Sequence, residues 1–177
     1  ATKLGYARKA AAGIAQEKGG RRGPGNALSK TSIPALAAVF AATTSYPELF
    51  ALALAGAFAT AAFDTVSSEV GKAYGRRTYL ITTLRSVPRG TDGAVSFEGT
   101  LSGLAAAVLL GGLGAALGLY PAAGIVAVVV AAFVATTLES VVGATLEKRG
   151  LLDNEAVNFL NSLAGALLAA GGGFLLL

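Results

Sequence analysis

The run ALALAGAFATAAF, residues 51–63, lies within a longer stretch, 48–68, whose only charges are Glu48 and Asp64. A run this long and apolar has to be kept from water, and about 20 such residues in a helix cross the hydrocarbon core of a bilayer. Four other stretches have similar length and character: 28–46, 97–119, 122–146 and 156–177. The first is the weakest of them, because Lys30 and Pro34 sit near its start. The expected fold is all-α: a multi-pass transmembrane helical bundle of about five spanning helices. Residues 1–177 form one integral membrane domain, led by a basic segment, 1–30, with polar loops at 70–96 and 147–155.

Composition agrees. Hydrophobic residues make up 54% of the chain and charged residues 14%, against about 25% charged in ordinary soluble domains. The 24 glycines suit bilayer helices, where small residues let backbones approach closely. There is no Cys, hence no disulfide framework and no thiolate site. With no His, imidazole zinc sites and His acid–base catalysis are excluded too. The chain contains no Met and opens on ATKLGYARKA. An N-terminal part is therefore expected to be missing, and no signal peptide with its short apolar core stands at the start.

The basic residues sort by loop. Seven Lys/Arg lie in residues 1–30, five in 70–96 and two at Lys148 and Arg149, which accounts for all fourteen. Threaded through a membrane, all fall on one side, and the other side shows only Glu48. The positive-inside rule assigns the basic side to the cytoplasm, or to the stroma of a plastid. A weak internal repeat runs in the same sense. DTVSSEVG (64–71) matches TTLESVVG (136–143) at four of eight positions, and VSFEGTLSGLAAA (95–107) matches VNFLNSLAGALLA (157–169) at five of thirteen. Such parallel repeats occur in transporters and related bundles.

The polar residues within the apolar segments gather at their basic-side ends. At about 100° per residue, Asp64, Ser67, Ser68 and Gly71 share one helix face, and Glu69 lies about 140° round from Asp64. Glu98 opens the third apolar segment. Glu139 shares a face of the fourth with Thr136 and Gly143, and Asn154, Asn158 and Asn161 lead into the fifth. Acids in membrane helices are costly, so each is expected to have a partner or a task. Pairing with nearby Lys/Arg or helix capping is the plainer of the two.

The loops suit anions. EKGGRRGPGN (17–26) combines Arg21 and Arg22 with four glycines, whose backbone N–H groups can approach a phosphate. It is not a Walker A loop, and a flexible segment touching lipid headgroups is its plainer reading. LITTLRSVPRGTDGAVSFEGT (80–100) places Arg85 and Arg89 before Asp92 and Glu98. Cations for phosphates and carboxylates for Mg²⁺ are what phosphoryl transfer requires, since its catalysis is mainly positioning and charge neutralisation. Mg²⁺ takes oxygen ligands.

DTVSSEVGKAYG, LITTLRSVPRGTDGAVSFEGTLSG, LESVVGATLEKRGLLDNEAVNFLNSLAGAL and the leading GGRRGPGNALSKT together resemble the phytyl-phosphate kinase family. These are multi-pass membrane proteins of plastids and cyanobacteria, with wider relatives once grouped as a domain of unknown function. The resemblance runs from about residue 4 to 170. It implies that phytyl phosphate and a nucleoside triphosphate give phytyl diphosphate, which feeds tocopherol and phylloquinone synthesis. It also implies roles. Asp64, Glu69, Asp92 and Glu139 would hold Mg²⁺, and Arg21, Arg22, Asn26, Arg85 and Arg89 would bind phosphates or nucleotide. Glu98 and Asn158 would orient the substrate. The prenyl tail would lie among Ala/Gly-rich helices, packed closely at Gly99/Gly103 and Gly114/Gly118. Further N-terminal hydrophobic segments belong to full members. The expected location is an envelope, thylakoid or cyanobacterial membrane, with lipid and prenyl phosphate as partners and no nucleic acid.

Two other readings compete. A non-catalytic membrane subunit of a photosynthetic complex could retain the same fold. A transporter is disfavoured, because binding residues there sit near the midplane, where LALAGAF and VAVVVAAF carry no polar side chain.

Overall fold

The computed structural model describes residues 2–20 and 22–176. Two short helices, α1 (Tyr6–Ala11) and α2 (Glu17–Gly20), lead into α3 (Pro24–Thr43) and α4 (Pro47–Tyr74). A small antiparallel hairpin follows, β1 (Thr78–Leu80) with β2 (Ala94–Ser96), in the register Thr78↔Ser96 and Leu80↔Ala94. Then come α5 (Phe97–Ala116), α6 (Gly124–Val142) with a π-helical turn at Gly143–Glu147, and α7 (Asn154–Leu176).

Among the described residues, four helices are long and apolar enough to cross a membrane: α4, α5, α6 with its π turn, and α7. Helix α3 has the length, but Asn26, Ser29, Lys30, Thr31 and Ser32 crowd its first half. It falls short on apolarity, so four segments rather than five meet the standard. The architecture is a multi-pass helical membrane bundle. Helix α4 extends six residues past the expected end at 68, which carries Glu69 and Lys72 into the helix. The hairpin inside the 70–96 loop was not expected.

The helix ends follow local chemistry. Pro24 and Pro47 occupy first turns, where a missing N–H costs nothing. The Ser96 hydroxyl accepts a 3.1 Å bond from the Gly99 N–H and so caps α5, while an Asp153 carboxylate oxygen accepts one of 2.7 Å from Ala156 at the start of α7. Gly118 ends α5 at φ +72°, with Leu119 N–H bonded back to the Gly114 carbonyl at 3.1 Å. That is a Schellman closure, which needs a left-handed residue. Gly118 therefore terminates the helix, contrary to the expectation that it packs helices together; nothing lies within 4 Å of where its Cβ would be.

Helix α4 stands at the centre and touches α3, α5, α6 and α7. Small residues allow this. A Cβ at Gly56 would stand 2.5 Å from the Gly165 carbonyl oxygen of α7, and one at Gly99 would stand 2.6 Å from the Ser67 carbonyl oxygen of α4. The main core joins Leu52, Ala55, Ala59 and Phe63 of α4 to Ala107 of α5, Val128, Ala131 and Ala132 of α6, and Ala169 of α7. A second cluster joins Ile33 and Ala37 of α3 to Ala53, Ala57 and Ala166. Between α5 and α6, buried Tyr120 donates to the Gly111 carbonyl at 2.9 Å. Large apolar side chains such as Leu109, Leu113, Val130 and Phe174 point outward, as a lipid-facing surface requires.

Candidate functional site

At the basic-loop end of the bundle a cavity of about 440 Å³ opens between α4, α6, α7 and the start of α5. The hairpin and the leading segment wall its outer side. Gly93 makes this possible: at φ +72° it packs on the end of α6, where a Cβ would lie 2.5 Å from the Ser140 carbonyl oxygen. Glycine is required there on both counts. Its seating carries Asp92 to the cavity rim. Ile14 packs against Gly90, and Gln16 and Arg22 reach the cavity from the same leading segment.

Asp64 and Glu139 both line this cavity, close enough for their carboxyl groups to interact. Their helices, α4 and α6, are in direct contact. Asp64 is ion-paired with Lys30 of α3, whose Nζ also donates to the Thr65 hydroxyl at 2.9 Å. Ser68 donates to Asp64 Oδ1 at 3.3 Å. Glu139 accepts a 2.6 Å hydrogen bond from Asn161 Nδ2. Asn158, 2% exposed, lines the cavity and donates to the Asn154 carbonyl at 2.7 Å. Glu147, at the end of the π turn, lines it as well.

The other expected site residues divide. Asp92 and Arg22 line the cavity with Asp64, Glu139 and Asn158. Glu69 does not. It is 2% exposed on another face of α4, ion-paired with the equally buried Lys9 and, at 3.3 Å, with Arg22 Nη2. Both cations come from the leading segment. Glu98 accepts from the Arg76 backbone N–H at 3.3 Å, which ties the hairpin to the start of α5. Arg85 sits exposed in the hairpin loop, and Arg89 lines a separate shallow groove with Arg8 and Lys72. Asn26 lies in the first turn of α3, where its carbonyl accepts from the Ser29 hydroxyl at 3.1 Å. Arg21 lies outside the described residues.

Lys9, Lys30, Lys72 and Glu147 were not read as site residues from the sequence. A signal for the lysines existed: an acid within an apolar helix implies a partner, and Lys30 is the lone cation of its own apolar segment. The neighbouring hydroxyls of Ser67, Ser96, Thr136 and Ser140 make the cavity an oxygen-rich site.

The fit to Mg²⁺ can be judged on this donor set. Among the described residues, no three acids converge closely enough to enclose a metal ion. Mg²⁺ is ordinarily held by one or two carboxylates, with waters and substrate phosphates completing its shell. The pair of Asp64 and Glu139 fits that habit, and a cation between them relieves the repulsion of two carboxylates. Glu69, neutralised elsewhere, does not belong to the set.

The sequence description "Integral membrane protein DUF92" matches residues 1–166. The chain is 49% identical over 173 residues to "Uncharacterized membrane protein sll0875" of Synechocystis sp., covering 96% of this chain and 67% of that protein. It is 39% identical over 176 residues to "Protein VTE6, chloroplastic" of Arabidopsis thaliana, covering 96% and 53%. To "Uncharacterized membrane protein MJ0933" of Methanocaldococcus jannaschii it is 37% identical over 147 residues, covering 81% and 59%. The chain thus spans between about half and two thirds of the length of these relatives. No solved structure matches. A cyanobacterial and a chloroplastic relative are the two settings that the motif resemblance implied. The chain belongs to the integral membrane protein DUF92 family.

Proposed function

We propose that this chain forms the catalytic part of a membrane-embedded prenyl-phosphate kinase. It converts phytyl phosphate, or a related prenyl phosphate, to the diphosphate with a nucleoside triphosphate as donor. The observation that carries this reading is the Asp64–Glu139 pair in an oxygen-rich cavity, with Arg22 and Lys72 on its walls. The motif resemblance favours the same reaction, and the chloroplastic and cyanobacterial relatives favour a plastid or cyanobacterial membrane. The basic loops then face the stroma or cytoplasm.

The chemistry suits a chain without histidine. An oxygen of the acceptor's phosphate attacks the donor's γ-phosphorus. The bond from that phosphorus to the β–γ bridging oxygen breaks, and the nucleoside diphosphate leaves. A phosphate monoester with a second pKa of about 6 is already largely dianionic at neutral pH, so no strong general base is needed. The demand is to hold two anions together in line. Arg22 and Lys72 supply positive charge, and Asn158 and the cavity hydroxyls supply hydrogen bonds that orient phosphate oxygens. Mg²⁺, held by Asp64 and Glu139 when bound, supplies further neutralisation of phosphate charge.

Incubating the purified protein in liposomes with phytyl phosphate and each nucleoside triphosphate in turn tests the proposal. Phytyl diphosphate is expected with at least one donor. A well-folded protein that makes none with any donor would favour the reading as a non-catalytic subunit of a membrane complex.

A further inference from the structure

The cavity is not closed toward the membrane. Near the far end of the bundle, α5 and α6 pack directly, with a Cβ at Gly111 reaching 3.4 Å from Val128 and 3.5 Å from Ile125. Toward the basic-loop end the first turns of α5 turn to α4 instead: Gly103 rests on the Phe63 ring and Gly99 on the Ser67 carbonyl. Thr100 of α5 and Thr137 of α6 both line the cavity, which thus reaches between the two helices. Its floor there is aromatic. Phe63 is buried and meets Phe133 edge-on, with ring centroids 6.2 Å apart. Phe133 also lines the cavity, yet it is 42% exposed on a membrane-spanning helix. A side chain that touches both the polar cavity and the lipid-facing surface marks an opening between them.

Resting on the kinase reading, we propose that this α5–α6 cleft is the lateral entry for the acceptor. A single-chain isoprenoid monophosphate slides in from the bilayer with its phosphate toward Asp64 and Glu139, and its first isoprene units lie on Phe63 and Phe133. The remainder of the tail stays in lipid. Two observations select this occupant. The cleft joins an anion-compatible polar chamber to an apolar surface, which matches a molecule with one charged head and one apolar chain. A cavity of about 440 Å³ that also takes a donor's phosphates leaves no space for a twenty-carbon tail. Phe133 is thus a specificity residue for the head-proximal isoprene units, and total chain length matters little.

Because the chain has no cysteine, single-cysteine labelling reads this directly. Phe133→Cys and, as a second reporter on the same wall, Thr137→Cys are placed in liposomes with a lipid-soluble maleimide, alongside Leu109→Cys on the outer face of α5. The expected result is ready labelling at 133 and 137, slowed several-fold by phytyl phosphate, not by inorganic phosphate, and unchanged at 109. Failure of the label to reach 133 and 137 in ligand-free liposomes would mean that other protein covers the cleft, and would overturn the proposal. Equal slowing at 109 would overturn it as well. The outcome also separates the two claims. Protection without turnover keeps the cleft and removes the kinase, whereas turnover without protection does the reverse.

Discussion

Asp64 and Glu69 stand five residues apart on α4, which turns them about 140° from one another around the helix axis. One side meets the cavity that Glu139 also lines; the other meets Lys9 and Arg22. Glu69 therefore anchors the leading segment, and through Arg22 it fixes a cation at the cavity wall. Removing one partner of a buried ion pair costs about 3–5 kcal/mol, while replacing the pair with apolar groups of similar size can be neutral. Glu69→Ala is expected to lower thermal stability by an amount in that range and to expose residues 12–20 to protease. Lys9→Met together with Glu69→Leu should recover most of the stability. Unchanged proteolysis in Glu69→Ala would mean that the pair does not dock the segment. The angular separation was legible from the sequence. The partner was not, because Lys9 is sixty residues away and nothing local links the two.

At the scale of elements, the apolar runs disclosed α4 to α7 to within a few residues, because a bilayer core demands a length that few soluble helices share. The hairpin left no such trace. Its strands are three residues each, in a stretch that holds four Thr, two Arg and one Pro. Arg85 and Glu98 were read as site residues from the charges of this stretch and from the family resemblance. Folded as a hairpin, the loop points Arg85 outward and engages Glu98 with the Arg76 backbone. Close helix packing was foreseen at Gly99 and Gly103; the partner is α4, and the contact rests on their missing side chains. Gly103→Val would drive a side chain into Phe63, and overpacking of this kind costs about 1–3 kcal/mol. Thermal unfolding in detergent should show that loss, and Phe63→Ala should relieve part of it, because the two residues share one contact. Strictly additive effects would contradict the packing described.

Over the whole molecule, the charged side chains of the spanning helices collect at one end of the bundle, Glu48 at the start of α4 apart. The cavity at that end draws on α4, α5, α6, α7, the hairpin and the leading segment together. No single motif contains it, which is why the sequence indicated a polar rim but not its grouping. Motif repetition hinted that α4 and α6 carry matching polar ends, and their contact brings Asp64 to Glu139. The proposed reaction depends on that meeting. Measuring phytyl diphosphate formation in liposomes for wild type, Asp64→Asn and Glu139→Gln, each checked for unchanged thermal unfolding, tests it most directly. The account predicts losses of roughly 10²–10³-fold in turnover, the scale seen when one charge-stabilising group is removed from an active site. Wild-type rates in both folded variants would contradict it.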